Sequence, residues 1–235
     1  MGSAKPLMAK ISKDVEPMSV QKKTSVEIPY VIETHNLALK FPNGETLQYP
    51  DLKINQGEKI LLMGDSGSGK TTLFKLLLGI IEPSQGKVKF KNKNNEEINP
   101  DFSKIGYIPQ EPNLFPGTIK QNITMFDNEL NSKVKRAIEE VKLDSDIKKF
   151  KNGANTELDL NKLNISGGQR QKIVLARAKI HGSKIILIDE GTSAIDQKAT
   201  FSILKNLLQS EATIVFIAHN FNENIRNLFD REIKL

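Results

Sequence analysis

An α/β fold built on a mostly parallel sheet is predicted for this chain of 235 residues, and three observations predict it. A glycine-rich run, Gly64-Asp65-Ser66-Gly67-Ser68-Gly69-Lys70-Thr71-Thr72, lies between an apolar strand-like stretch and a helix-like one. Strand-like and helix-like segments then alternate, as they do where helices cross over between parallel strands. One long helical block, at about 111–180, interrupts that alternation.

Residues 1–23 mix polar and charged residues with two prolines and no sustained periodicity, so a linker or poorly ordered arm is expected there. Met1-Gly2-Ser3-Ala4 has the look of an expression scar, which suggests a piece of something longer. Strand patterns follow at 30–39, 45–54 and 58–63, with turns at Pro42-Asn43-Gly44 and Asn55-Gln56-Gly57. A helix from 70 to about 79 ends before the turn Pro83-Ser84-Gln85-Gly86. A strand at 87–90, a polar loop at 91–100 and a strand at 104–108 come next. Within 111–180, Val134, Ala137, Ile138 and Val141 fall on one helical face, and 169–180 forms a second helix. Strand 184–188, helix 197–209, strand 212–218, a short helix at 222–228 and a last strand at 231–235 complete the chain.

Composition excludes several classes. Hydrophobic content of 38% and charged content of 26% are ordinary for a globular protein. With no cysteine, neither a disulfide framework nor a thiolate metal site is available. Apolar runs such as 76–81 and 185–188 fall far short of the roughly 20 residues of a membrane span, and no secretory signal opens the chain. The net charge of +6 is carried by dispersed lysines. Lys87, Lys89, Lys91 and Lys93 read as a solvated strand and turn, and no specific nucleic-acid partner is expected.

Three stations carry chemistry. The 64–72 run fits the G-x-x-x-x-G-K-[ST] phosphate loop, in the strand–turn–helix context that this motif requires. Its glycines let successive N–H groups curl around an anion, and the following helix adds its dipole and free N–H groups. Lys70 would reach the β- and γ-phosphates and Thr71 would ligate Mg²⁺, so a nucleoside triphosphate is the expected ligand. The second station, Lys184-Ile185-Ile186-Leu187-Ile188-Asp189-Glu190, delivers two acids to the C-terminal end of an apolar strand, where nucleotides bind in such sheets. Asp189 can hold Mg²⁺ and Glu190 can activate a water. The third is Ile165-Ser166-Gly167-Gly168-Gln169-Arg170-Gln171: a serine N-cap and two glycines opening a helix, again an anion-binding end.

Ser166-Gly167-Gly168-Gln169 resembles the signature motif of the ATP-binding cassette (ABC) ATPases. Tyr107-Ile108-Pro109-Gln110 resembles their Q-loop, the stretch from Asp189 through Gly191, Thr192, Ser193 and Ala194 to Asp196 their Walker B and D-loop, and Ile217-Ala218-His219-Asn220 their switch-histidine motif. With the phosphate loop these are five motifs in the family's order, spread over roughly 28–235. The resemblance implies one ABC ATPase domain at 24–235. Its fold would be a phosphate-loop (RecA-like) α/β sheet with an N-terminal antiparallel β subdomain and an inserted α-helical subdomain. It implies ATP and Mg²⁺ as ligands, with Thr71, Gln110 and Asp189 at the metal. Phe41 would stack on adenine, Thr72 would touch the α-phosphate, and Gln110, Glu190 and His219 would act on the lytic water and γ-phosphate. It further implies an ATP-sandwiched dimer, homo- or heteromeric, in which Ser166 to Gln169 face the partner's nucleotide and Ser193 and Asp196 sit at the interface.

Leu114-Phe115-Pro116-Gly117-Thr118-Ile119-Lys120-Gln121-Asn122-Ile123 and Asn152-Gly153-Ala154-Asn155-Thr156-Glu157 resemble the exporter branch. That branch implies a transmembrane partner and a place on the cytoplasmic face of a membrane. Asp159, Leu160 and Lys162 depart from the branch, where Gly, Glu and Gly are usual; Gly191 for alanine and Ile165 for leucine are conservative replacements. An importer ATPase subunit is the first alternative, expected to lack the 115–123 stretch and to continue into a regulatory domain. A soluble ABC ATPase acting on DNA or ribosomes is the second, expected to carry a second cassette or a coiled-coil insertion.

Overall fold

Strands that are apolar at nearly every position need cover on both faces, and the runs around Ile60, Ile186 and Val215 find it at the centre of the five-stranded sheet. The computed structural model describes residues 26–159, 164–218 and 221–235. The predicted arm at 1–23, together with Leu160, Lys162 and His219, lies outside the described residues.

In chain order the strands are β1 (Val26–Glu27), β2 (Val31–Lys40), β3 (Thr46–Gln48), β4 (Lys53–Asn55), β5 (Lys59–Met63), β6 (Gln85–Lys91), β7 (Asn99–Pro100), β8 (Ile105–Ile108), β9 (Gly117–Thr118), β10 (Glu157–Leu158), β11 (Ile185–Asp189), β12 (Thr213–Ile217) and β13 (Arg231–Lys234). The helices are α1 (Lys70–Leu77), α2 (Ile119–Thr124), α3 (Val134–Glu140), α4 (Asp144–Ile147), α5 (Gly167–Ile180), α6 (Gln197–Leu208) and α7 (Glu223–Arg226).

Five parallel strands run in the order β13-β5-β12-β11-β8, with Leu61 level with Phe216 and Ile188 level with Ile108. Alternate side chains enter different cores. Ile60, Leu62, Ile185, Leu187, Val215 and Ile217 pack with α1 and the second sheet. Leu61, Ile186, Ile188, Ile214 and Phe216 pack with α5, α6 and the 108–165 region. The second sheet is antiparallel: β2 pairs with β6 along one edge and with β3 and β4 along the other. Two of its lysines are locally compensated, Lys89 by Glu97 at 3.2 Å and Lys91 by Glu33 at 2.7 Å.

Two stretches differ from expectation. The predicted strand 45–54 is two strands separated by Tyr49–Leu52, where Pro50 has no N–H to give a ladder and Thr34 takes over the pairing. Its hydroxyl donates to the Pro50 carbonyl and accepts from the Leu52 N–H. The block at 111–180 is less helical than expected. Among its described residues it holds three short helices, 3₁₀ turns and the antiparallel pair β9–β10 before the long α5 begins. Met125, Phe126 and Lys142 have positive φ, a conformation that ends helical runs.

The 114–123 stretch is organised by Asn122, which is fully buried. Its amide donates to the Phe115 and Thr118 carbonyls at 2.9 and 3.1 Å and accepts from the Phe115 N–H at 2.8 Å. Arg177 of α5 reaches the same place: Nε donates to the Asn122 carbonyl at 2.8 Å, and the guanidinium lies 5.4 Å from the Phe115 ring centre. Burial lowers its pKa.

Candidate functional site

The loop after β5 turns through Gly64, Gly67 and Gly69, all at positive φ, and Gly69 (φ 89°) caps α1 in the left-handed conformation. A side chain there would be strained by that φ and would press on the Tyr49 hydroxyl and Leu47 Cδ1, each 2.7 Å from where a Cβ would stand. No side chain caps α1, so the cap takes up none of its first N–H groups. Lys70 is 6% exposed. Its ammonium donates to the Gly64 and Asp65 carbonyls at 2.9 and 2.7 Å, with Ser68 Oγ at 3.4 Å.

β11 delivers Asp189 and Glu190 beside this loop. Asp189 is buried and accepts from the Thr71 hydroxyl at 2.6 Å. Burial, and then the charge of Asp189, push the Tyr107 phenol up to about 12. Glu190 has φ +50°, its N–H donates to the Ile217 carbonyl at 3.1 Å, and its carboxylate accepts from the Gln110 amide at 2.9 Å. Phosphate loop and acids share an open cleft of about 920 Å³, lined also by Phe41, Glu45, Leu47 and Gln110. The structure therefore brings Phe41, the 64–72 loop, Gln110, Asp189 and Glu190 together.

Ser166 to Gln169 are placed elsewhere, outside the lining of that cleft. Ser166 caps α5: its hydroxyl accepts from the Gln169 N–H at 3.2 Å, and the Gln169 side chain accepts from the Ser166 N–H at 2.8 Å. Gln169 also donates to Asp146 at 3.2 Å, and Lys172 pairs with the same carboxylate at 2.8 Å. Against the upward pull of burial, these donors hold the Asp146 carboxyl below its ordinary value. Gly168 meets the segment after Glu190, where a Cβ would stand 2.6 Å from the Ala194 carbonyl oxygen. Ser193 and Asp196 are exposed on that segment, and Asp196 caps α6 through the Ala199 N–H at 2.9 Å.

Three contributors carry no motif. Tyr49 donates from its hydroxyl to the Gly69 carbonyl at 3.1 Å, and burial pushes its pKa up to about 12. Asp146 anchors the start of α5. Gln171, 2% exposed, bonds three residues of the segment after β11; it closes the 165–171 stretch, but that stretch alone assigns it no contact. The replacement of alanine by Gly191 is not conservative here. A Cβ at 191 would lie 2.6 Å from Ile188 Cγ2 and 3.0 Å from Ile108 Cγ2.

A family model described as ABC transporter matches residues 47–193. Over 208 residues the chain is 34% identical to the lactococcin-A transport/processing ATP-binding protein LcnC of Lactococcus lactis subsp. lactis, a match covering 86% of this chain and 29% of that protein. It is 39% identical over 176 residues to the mesentericin-Y105 transport/processing ATP-binding protein MesD of Leuconostoc mesenteroides, covering 72% of this chain and 24% of that one. Thus the chain spans less than a third of the length of these relatives. Among solved structures, a bacterial Atm1-family ABC exporter with ATP bound superposes with a TM-score of 0.81 at 23% identity, over 97% of this chain and 41% of that one, a likeness of fold.

Proposed function

The chain belongs to the ABC transporter family, and on that premise we propose that it is the ATP-binding and ATP-hydrolysing domain of an exporter. The observation that carries this reading is the 2.6 Å bond from Thr71 of the phosphate loop to Asp189, with Glu190 next to it at the mouth of the cleft. The relatives' names, as transport/processing ATP-binding proteins, support export as the work that hydrolysis drives.

In this reading Lys70 and the loop N–H groups bind the β- and γ-phosphates, Thr72 the α-phosphate, and Phe41 stacks on adenine. The oxygen donors of Thr71, Asp189 and Gln110 would suit Mg²⁺, which takes oxygen ligands around one or two carboxylates and keeps several waters. When bound, the metal neutralises charge on the transferring phosphate. Glu190 takes the proton of the attacking water, and His219 contacts the γ-phosphate. Ser166 to Gln169 complete the site of a second nucleotide-binding domain across an ATP sandwich, with Ser193 and Asp196 at that interface. The antiparallel sheet and the 111–180 block serve as subdomains of this ATPase. A transmembrane partner holds it at the cytoplasmic face of a membrane; no helix among the described residues is long and apolar enough to span one.

The test is the solution mass of Glu190→Gln with and without ATP and Mg²⁺. Hydrolysis should slow by a factor on the order of 10² or more while ATP still binds, and a dimer should appear only with nucleotide. Wild-type turnover in this variant would remove Glu190 from the role, and a monomer with ATP bound would remove the sandwich.

A further inference from the structure

Residue 190 is held in a conformation that a glutamate does not choose. Its φ of +50° lies in the left-handed region, which costs energy unless neighbouring contacts fix it. The Ile217 carbonyl fixes it from one side, accepting the Glu190 N–H. From the other side the contact comes from α5. The Gln171 amide nitrogen donates to Ser193 Oγ at 3.0 Å and, more weakly, to the Glu190 carbonyl at 3.4 Å, while its oxygen accepts the Ala194 N–H at 3.0 Å. One buried side chain thus spans both ends of the turn from 190 to 194. One turn earlier, Gly168 presses on the Ala194 carbonyl with no room for a Cβ, so α5 and this turn have little freedom to slide past each other.

We propose that Gln171 is a positioning residue that sets the backbone of Glu190 and ties it to the position of α5. The inference rests on the reading of Glu190 as the hydrolytic base. Its consequence is directional. Ser166 at the start of α5 would answer to the partner's nucleotide, and Glu190 serves the chain's own. Gln171 joins the two within one chain, so closure at one site adjusts the base at the other.

The test uses the full chain with Gln171→Leu, which keeps the volume and removes the hydrogen bonds. The turnover number should fall about tenfold or more, as for a misplaced catalytic group, while the ATP dissociation constant stays within about twofold. Amide exchange over 190–196 should quicken about tenfold without change at the phosphate loop. Ser193→Ala, at an exposed position, carries less risk to folding. It should give a smaller loss that does not add to that of Gln171→Leu, because both cut the same link. Unchanged turnover and exchange would overturn the proposal, and so would a parallel loss of binding, turnover and protection throughout the chain. If the wild-type chain shows no ATP turnover, the proposed function falls, and exchange over 190–196 still decides whether Gln171 holds the turn.

Discussion

Two helices of this molecule begin with glycine-rich sequence, and they begin differently. α1 starts at a left-handed glycine with no side-chain cap, so no side chain takes up its first N–H groups. α5 starts at a serine whose hydroxyl and partner glutamine close a reciprocal capping box. Both ends carry the helix dipole and both were read from sequence as anion sites. The uncapped end lies beside a lysine and two acids and is equipped for an anion within its own chain. The capped end has part of its donor set engaged and stands outside the cleft. That suits an end which meets a ligand only when another surface delivers it. A helix N-terminus is therefore a site only to the extent that its donors are left for a ligand.

The largest effect should come from breaking the uncapped end. Lys70→Ala removes the ammonium that now bridges two loop carbonyls and would balance the γ-phosphate; ATP turnover should drop below detection in a phosphate-release assay. Turnover at the wild-type rate would show that the loop is misread. At the capped end, Ser166→Ala should leave ATP binding by the single chain within about twofold but weaken the nucleotide-dependent dimer of Glu190→Gln in sedimentation. The same substitution should cost about 0.5–2 kcal/mol of stability for the lost cap. A loss of ATP binding by the monomer would erase the distinction between the two helix ends.

Asp146→Asn sharpens the comparison through pH. The Asp146 pKa is lowered from its ordinary 3.8 against the pull of burial, by donors from Lys172 and Gln169. A depressed carboxylate stabilises the fold above its unfolded pKa and loses that contribution as pH falls through the folded value. Urea titrations at pH 7 should therefore show Asp146→Asn less stable by about 1–3 kcal/mol, with the gap closing below about pH 4. A gap that persists in acid would mean the loss is one of packing. The smallest effect is expected for Tyr49→Phe. The Gly69 carbonyl also accepts the Leu73 N–H at 2.8 Å, so losing the hydroxyl should cost about 0.5–1.5 kcal/mol in thermal or chemical unfolding.

The central sheet was legible because its three inner strands are apolar at nearly every position and α1 and α6 are amphipathic. Phe216 and Ile217 enter opposite cores without disturbing either pattern. The phosphate loop and the Asp189–Glu190 pair were legible because the residue types and spacing that mark them are contiguous in sequence. What stayed hidden depends on contacts distant in the chain. The β9–β10 pair joins Thr118 to Glu157, and two-residue strands have no periodicity to read. Tyr49 meets Gly69 only once the second sheet folds over α1. Gly191 looked interchangeable with alanine until Ile108 and Ile188 were placed against it. The lesson is that side chains which hold a motif in position leave fewer marks in sequence than the motif itself.

Arg177 carries a consequence for the far part of α5. The oxygens its guanidinium contacts are uncharged, the carbonyls of Asn122 and Asn113 and the Asn122 amide, and Phe115 lies across it. Such a junction involves no carboxylate for added electrolyte to screen, whereas the start of the same helix is tied down by the Lys172–Asp146 ion pair. In the last turn Lys179 pairs with Glu140 at 2.7 Å, so raising ionic strength should weaken ion pairs on both sides of Arg177 and leave that junction as the helix's fixed point.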